Sequence, residues 1–573
     1  MEPSDKEKVP ETIAVQAAST EASSTVDAST TAPNQTNAVE TEFKRDSRFW
    51  MIFVALCCCT LLSALDLGGI GTAGPTIVHQ LNGSDFTWVA SAYALSASMF
   101  IPLSGNLAQI FGRRPIILGG IITFAVGSAV CGSAKSLIVL IVGRAIQGIG
   151  AGTIQALSSI IITDLVPLRE RGVYAGITGV IWTSGSAIGP FLAGGLAEKA
   201  TWRWLFYINL PLCGLAFVAV ALFLRLKKPE GRFQDKIFKV DWLGNLFIMA
   251  STCSVMLALT WGGIRFSWSS ANILVPLILG IVGLACTIYY ESRWPEHPVI
   301  PLMVLSNRTS IAGYISTFVQ GMVTLGIAFY LPTWFQSVKL SSPLASGVLF
   351  LPLAVTISPS AILQGIIVSK TGYYRPVNFV GWSLVILGTG LLISLKLSSS
   401  VGLVVLYQLL LGPGFGFLYS TTFPVLAPLP LSANGPAVAF VVFLRQFSQA
   451  WGVSVGGTIL QNALKRKLPE SAILGQEQVL TNGQQLAYAI VPLIPTLPQP
   501  LQLEVSQAFL ESFREVWIAF AICAAIGLCS WFAMKNYPLK KSIDGKWGID
   551  RSKKEPEKKM DEKDAEKQAI AGS

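Results

Sequence analysis

The chain has 573 residues, 52% of them hydrophobic and 13% charged, with a formal net charge of +10; a soluble protein carries about 25% charged residues. That deficit, spread over many long apolar runs, excludes a soluble globular protein and implies one that crosses a membrane many times. The positive balance is accounted for by loops at one membrane face, not by nucleic acid.

Residues 1–48 are rich in Ser, Thr, Ala and Glu, and are expected to form a disordered cytosolic tail. Fourteen apolar segments follow, near 49–72, 87–109, 115–133, 137–163, 172–197, 204–225, 241–262, 271–291, 310–335, 344–369, 376–396, 401–423, 436–460 and 515–535. Each is close to the roughly 20 residues that span a bilayer. Short loops on the N-terminal side carry 14 Lys and Arg, those on the other side 6, which places both termini in the cytosol. Lys465-Arg466-Lys467 runs against this count, but it opens a long outward loop, 461–514, and long loops obey the rule poorly. In that loop, 501–513 is amphipathic and is expected as a short external helix. Asn82 heads an outward Asn-Gly-Ser sequon and is a glycosylation candidate. The Lys/Glu-rich residues 538–573 are expected as a second disordered cytosolic tail.

A short loop organises the rest. Gly105 and Gly112, followed by Arg113-Arg114-Pro115, reappear as Gly365 and Gly372, followed by Arg375-Pro376. Gly148 is answered by Gly412, and Gly185 by Gly452. The offsets are 260, 264 and 267, so the chain reads as a duplicated unit. One half is 49–225, the other 301–537, and the linker 226–300 inserts two extra spans.

The nine cysteines lie inside apolar runs, and only two histidines exist. Neither a disulfide framework nor a metal site is indicated. No H-E-x-x-H and no phosphate-binding G-x-x-x-x-G-K-[ST] loop occurs, so no cofactor, enzymatic activity or P-loop ATP hydrolysis is expected.

These stretches together resemble the major facilitator superfamily, in particular its fourteen-helix drug–proton antiporter group. Gly105 to Arg114 looks like the signature between the second and third helices. Leu140, Arg144, Gln147, Gly148, Gly150 and Ala151 look like the fourth-helix motif, and Gly176, Gly185, Gly189 and Pro190 like the fifth-helix antiporter motif. Leu65-Asp66 with Pro75 looks like the first-helix motif, and Trp202-Arg203-Trp204 through Phe206, Ile208, Asn209 and Pro211 is the most group-specific match. The resemblance implies an all-α fold of two pseudo-symmetric six-helix bundles plus two inserted helices. It also departs from the group twice. Gln109 stands where an aspartate is usual, which implies a differently wired gate. Asp66-Leu67-Gly68-Gly69-Ile70 replaces Asp-x-Thr-Ile-Val, which implies a looser first helix.

An ionisable side chain inside a membrane is a functional candidate by default. Asp66 and Arg144 lie at matched depth, about 9–11 Å below the outer surface at 1.5 Å per residue. Asp66 is the expected proton carrier and Arg144 the group that tunes it, with a purely structural ion pair as the competing reading. Arg445, with Gln449 one turn on, is a candidate contact for an anionic or carbonyl-bearing substrate. Tyr93, Gln155, Trp182, Gln320, Tyr330, Gln408 and Tyr419 are candidate cavity residues. Trp88, Trp202 and Trp334 read as interfacial aromatics. Gly105, Gln109, Gly112, Arg113, Arg114, Gly148, Gly365 and Gly372 are assigned to gating and packing. Gly176, Gly185, Gly189 and Pro190 are assigned to an outward seal, with ordinary helix packing as the alternative.

The leading function is proton-coupled export of amphipathic organic compounds, such as drugs, toxins or secondary metabolites, by a monomer working in the lipid bilayer. A transporter of a polar solute (organic acid, siderophore or basic amino acid) and a non-transporting receptor or scaffold are the alternatives. The plasma membrane is the expected location, with the vacuolar membrane as the second.

Overall fold

The structure, a computed structural model, describes residues 40–41, 45–81, 87–227, 229, 232–263, 266–295, 298–420, 422–468, 490–540 and 543–544. Asn82, most of the two tails and 469–489 of the long loop lie outside the described residues, as does the side chain of Pro190. Helices dominate. In the first half they are α1 Ser47–Leu81, α2 Thr87–Phe111, α3 Arg113–Gly132, α4 Leu137–Leu165, α5 Arg171–Lys199, α6 Trp204–Tyr207 and α7 Asn209–Phe223. A short α8, Phe233–Phe238, leads to the inserted pair α9 Trp242–Trp261 and α10 Ala271–Glu291. The second half has α11 Arg308–Val338, α12 Pro343–Thr371, α13 Arg375–Ile393, α14 Val401–Leu418, α15 Thr422–Leu426, α16 Asn434–Lys467 and α17 Gln499–Ala533. Among the described residues, thirteen helices are long and apolar enough to cross a membrane; α5, 29 residues long, is a further helix of spanning length. The described strands are β1, Glu40–Thr41, and β2, Ile543–Asp544, paired antiparallel.

Local chemistry sets where the spans begin. The side chains of Ser136, Asp241, Ser270, Asn307, Ser342 and Ser400 each accept a backbone N–H at the start of α4, α9, α10, α11, α12 and α14. Each cap satisfies a donor that lipid could not. Gly112 and Gly372 both take positive φ, 100° and 76°, so the repeated loop turns each time through a conformation that suits glycine.

The duplication is visible as packing. Gly148 of α4 lets α2 approach, with Tyr93 Cα 3.0 Å from where a Cβ would stand; Gly412 of α14 does the same for the Leu353 carbonyl of α12, also at 3.0 Å. Gly185 of α5 faces Ala64 of α1 at 2.8 Å, and Gly452 of α16 faces the Met322 carbonyl carbon of α11 at 2.9 Å. Equivalent glycines therefore join equivalent helices within each half. Across the halves the pairing is exchanged. Gly105 of α2 meets Ala439 of α16, whereas Gly365 of α12 meets Gly172 of α5. A pseudo-twofold relation between two six-helix bundles gives this pattern. The inserted pair packs on α2 and α16: Ser454 donates to the Leu259 carbonyl at 2.8 Å, and Trp88 and Trp261 stand edge to face at 5.8 Å.

Several boundaries differ from the sequence expectation. The first span is not 24 but 35 residues, Ser47–Leu81; at about 1.5 Å per residue it exceeds a roughly 30 Å hydrocarbon core. Residues 501–513 do not form a separate external helix. They are the first turns of the 35-residue α17, because no proline interrupts the run after Pro500 and Val505, Phe509 and Phe513 are all buried. Lys465, Arg466 and Lys467 belong to the last turn of α16, and Arg466 and Lys467 both pair with Glu515 of α17 at 2.8 Å. Trp202 and Trp334 are not interfacial but fully buried. The indole N–H of Trp202 finds Gln80 Oε1 at 2.9 Å, which meets the need of a polar atom taken from water.

Candidate functional site

Asp66 of α1 and Arg144 of α4 are brought together and sealed from solvent, 1% and 0% exposed. Asp66 Oδ2 accepts from Arg144 Nη1 at 2.5 Å. Its Oδ1 accepts from Gln147 Nε2 at 2.8 Å and Asn209 Nδ2 at 3.0 Å. Arg144 is fixed in turn: Nη1 also donates to Gln147 Oε1 at 2.8 Å, Nε to the Val89 carbonyl at 3.1 Å, and the guanidinium lies 4.2 Å from the centre of the Tyr93 ring. Gln147 Nε2 reaches Ser128 Oγ at 2.9 Å. Donors from α4 and α7 thus hold a carboxylate of α1, and α2 and α3 support those donors through Val89, Tyr93 and Ser128.

The sequence arranges this with small residues and spacing. Arg144 and Gln147, three apart, share a face of α4. Gly127 of α3 admits the α4 backbone, with Gln147 Cα 2.6 Å from its missing Cβ. Asn209 arrives as the first residue of α7, after the sixth span breaks at Tyr207. Arg144 Nη2 and Asn209 Oδ1 have no hydrogen-bond partner among the described residues. A buried charge so tightly paired is stable only while both partners stay. Gln147 and Asn209 were absent from the expected site, although both lie in the quoted motifs. Tyr93, a candidate cavity residue, lies under the Arg144 guanidinium; Ser128 sits in no motif, and only its helix position identifies it.

A second constellation closes the face that carries the repeated loops. Arg113 Nε donates to Asp164 Oδ2 at 2.9 Å, both side chains being buried, and Nη1 donates to the Ala108 carbonyl at 2.9 Å. Arg114 donates to the Ala221 carbonyl. Arg171 holds the end of α4 through the Val166 and Thr163 carbonyls at 2.8 and 2.7 Å. Across the halves, Arg169 donates to the Ser369 and Lys370 carbonyls at 2.5 and 2.9 Å. Gly176 lies against Ile362, with the Ile362 Cα 2.8 Å from where its Cβ would be. Gln109 and Arg113 both face Gly435 in the first turn of α16: Gln109 Nε2 is 3.6 Å and Arg113 Nη2 3.3 Å from the missing Cβ. The two halves are therefore closed at this basic face.

The remaining candidates divide. Gln155 accepts from Gln446 Nε2 at 2.6 Å, across the halves, and Thr183 Oγ1 lies 2.9 Å from Ser358 Oγ, also across them. Arg445 donates to the Tyr419 carbonyl at 2.8 Å and lies 4.9 Å from the centre of the Tyr419 ring, and that ring in turn lies beside Gly179 of the opposite half. Tyr330 donates to the Val453 carbonyl, and Gln408 to the Leu349 carbonyl at 2.9 Å, both deep in the second half. Gln320 reaches Thr324 Oγ1 at 3.3 Å. Trp182 and Gln449 are half-buried. Gly185 packs within the first half, against α1, and Gly189 is buried. Among the described residues no group of three or more His, Cys, Asp or Glu could hold a metal ion.

The Major Facilitator Superfamily model matches residues 56–457. An MFS-type efflux pump of a Fusarium species, LUC4, is 36% identical over 528 residues, covering 91% of this chain and 94% of that one. The efflux pump FUS6 of Gibberella fujikuroi is 36% identical over 517 residues, 89% of this chain and 93% of that one. The Acurin A biosynthesis cluster MFS-type transporter of Aspergillus aculeatus is 35% identical over 529 residues, 90% of this chain and 94% of that one. Among solved structures, the proton:xylose symporter XylE matches with a TM-score of 0.56 at 13% identity, covering 87% of this chain and 99% of that one. The human organic anion transporter MFSD10 matches with a TM-score of 0.52 at 14% identity, covering 84% and 100%. Sequence, helix count and fold agree: this chain belongs to the major facilitator superfamily, as an integral multi-pass membrane transporter and not an enzyme.

Proposed function

We propose that the protein exports amphipathic organic compounds from the cytosol by proton-coupled alternating access, with the basic face and both termini cytosolic, as a monomer in the plasma membrane. The observation that carries this reading is the buried Asp66, held by Arg144, Gln147 and Asn209. The names of the fungal relatives support export of organic compounds as the direction and cargo class.

An arginine and two amide donors favour the ionised acid; separation from them in a dry site favours the protonated one. A rearrangement within the first half that draws α1 from α4 or α7 as the two halves rock therefore loads a proton, and the return releases it. Arg144 keeps the empty carboxylate neutralised, so the unloaded form can also reorient without exposing a bare charge to lipid. One pH unit supplies about 1.4 kcal/mol per proton, and each 100 mV about 2.3 kcal/mol per charge. One proton per cycle thus supports a gradient of a neutral solute of about ten-fold from the pH unit alone and several hundred-fold from the two together.

The test is Asp66→Asn in proteoliposomes with an imposed proton gradient. Loss of gradient-driven flux with substrate exchange retained supports the carrier role; proton-driven flux at the parental rate overturns it. An organic acid is the second cargo reading, favoured by Arg445 beside Tyr419 where the halves meet.

A further inference from the structure

The two chain ends meet over the basic face, and the Asp66 mechanism uses neither of them. The C-terminal segment leaves α17 at Met534 and lies across the second half. Lys535 N donates to Thr309 Oγ1 of α11 at 3.1 Å. The Tyr374 hydroxyl, on the loop between α12 and α13, donates to the Lys535 carbonyl and accepts from Tyr537 N at 3.1 Å. Asn307 Nδ2 reaches the Tyr537 hydroxyl at 3.3 Å, and Leu539 is buried. Lys540 Nζ then donates to the Leu429 carbonyl at 3.1 Å, in the loop between α15 and the short turn Leu431–Ala433.

The duplication gives this hold a counterpart. Arg114, two residues after Gly112, donates to the Ala221 carbonyl at the end of α7. Tyr374, two residues after Gly372, donates to the Lys535 carbonyl just past the end of α17. Equivalent positions of the repeated loop thus hold the ends of equivalent helices. After α7 the chain runs on into the linker, whereas after α17 it crosses to the other half. There Ile543 pairs with Thr41 and Asp544 with Glu40, antiparallel. Thr41 precedes the start of α1 by six residues, and between them Arg45 binds Glu170 of the first half at 2.6 Å. β1 is therefore anchored on the first half, and Lys540 anchors β2 on the second. β2 itself lies against both α4 of the first half and the Leu431–Ala433 turn of the second.

The braced loop belongs to the gate. Phe423 of α15 lies against Gly172 of the first half, its Cζ 2.9 Å from where a Cβ would stand. Ser310 of α11 ties α15 to its own half through the Val425 carbonyl at 2.9 Å. Parting of the halves at this face takes β2 from one of its two neighbours and pulls on the ladder. We infer that the chain ends form a clasp: the C-terminal segment 534–544, held on Tyr374 and Leu429, pairs with the N-terminal strand and keeps the basic face shut until the pairing is released. A two-residue ladder is a small hold, about 3- to 10-fold in an equilibrium. That size suits a contact made and broken in every cycle.

The clasp rests on the alternating-access reading only in that the face opens. Hydrogen exchange of the full chain in lipid nanodiscs tests it with neither cargo nor a proton gradient, so its failure is distinct from failure of the export reading. Ile543→Pro with Asp544→Pro leaves no backbone donor on β2. Exchange of the gate segments 166–173 and 365–374 is expected to quicken about 3- to 10-fold. Tyr374→Phe, which keeps the ring and removes the hydroxyl from Lys535 and Tyr537, should act in the same direction. Directly opposed residues of an antiparallel pair stand about 4.5–5.5 Å apart at Cα, within the span of a disulfide. In Thr41→Cys with Ile543→Cys, oxidation is expected to join the two ends within one chain and to slow exchange of the same gate segments relative to the reduced sample. Oxidised and reduced samples are one variant, so this comparison decides even if the proline variant folds poorly. Failure of the cysteines to join, or gate exchange that is the same in both samples, would overturn the proposal.

Discussion

The backbones of Gly172 and Gly365 meet across the two halves: a Cβ built on Gly365 would stand 2.8 Å from the Gly172 carbonyl oxygen, and one on Gly172 2.6 Å from the Gly365 Cα. Nothing flexible can give way there, since both neighbours are main chain. Gly365→Val should therefore oppose closure of the basic face by about 1–3 kcal/mol, a shift of roughly 5- to 150-fold. A cysteine at Ser358, buried in the same seam, should react correspondingly faster with an impermeant maleimide applied from the basic face, while membrane insertion is unchanged. Equal labelling in the parent and Gly365→Val would mean that this contact does not govern closure.

Arg144 serves Asp66, Gln147 and Val89 at once through a planar fork and lies over Tyr93. A lysine cannot reproduce that geometry. Arg144→Ala strands a buried carboxylate and is expected to cost about 3–5 kcal/mol, seen as a lower thermal unfolding midpoint. Arg144→Lys should stay folded but transport poorly. The double variant Arg144→Ala with Asp66→Asn should recover much of the lost stability, because no unpaired charge remains.

Asn209→Leu removes a hydrogen bond to an ionised acid, worth about 1.5–3 kcal/mol. Its expected effect is a loss of gradient-driven flux with expression retained, measured in the same vesicles as Asp66→Asn. Asn209→Ser, which keeps a donor, should retain more flux than leucine.

Gln109 lies near Gly435 at the N-terminal turn of α16, where an anion is favoured by about 0.3–1 kcal/mol. Gln109→Asp should tighten the closed basic face about 2- to 5-fold, read as slower labelling of the Ser358 cysteine. Faster labelling would show that the neutral amide is the better gate residue here.

The exposed pairs of Glu515 with Arg466 and Lys467 supply a contrast. Glu515→Gln should change stability by less than about 1 kcal/mol, and the small difference should vanish at high salt.

Much of this was legible in the chain. Apolar runs interrupted by basic loops gave the spans, because lipid tolerates no unsatisfied backbone and few charges. The glycines at 105, 148 and 185 and their partners at 365, 412 and 452 announced the duplication, because only glycine lets helices approach this closely. Asp66 and Arg144 stood out because an ion pair is rare in hydrocarbon. Less legible were the ends of elements: helical pattern in 501–513 does not say whether it joins the next span, since an amphipathic helix can lie on a membrane or continue into one.

What the sequence alone determined is the kind of molecule: its membrane-crossing helices, its repeat, and the two charges that lipid would exclude unless they served a purpose. What only the tertiary structure decided is who meets whom. Gln147 and Asn209 join Asp66, Gly172 finds Gly365, Trp202 leaves the interface for the core, and Tyr374 takes hold of the C-terminal segment at Lys535 and Tyr537. Those partners lie tens to hundreds of residues apart, and local pattern carries no information about which faces of separate helices turn toward each other; packing does.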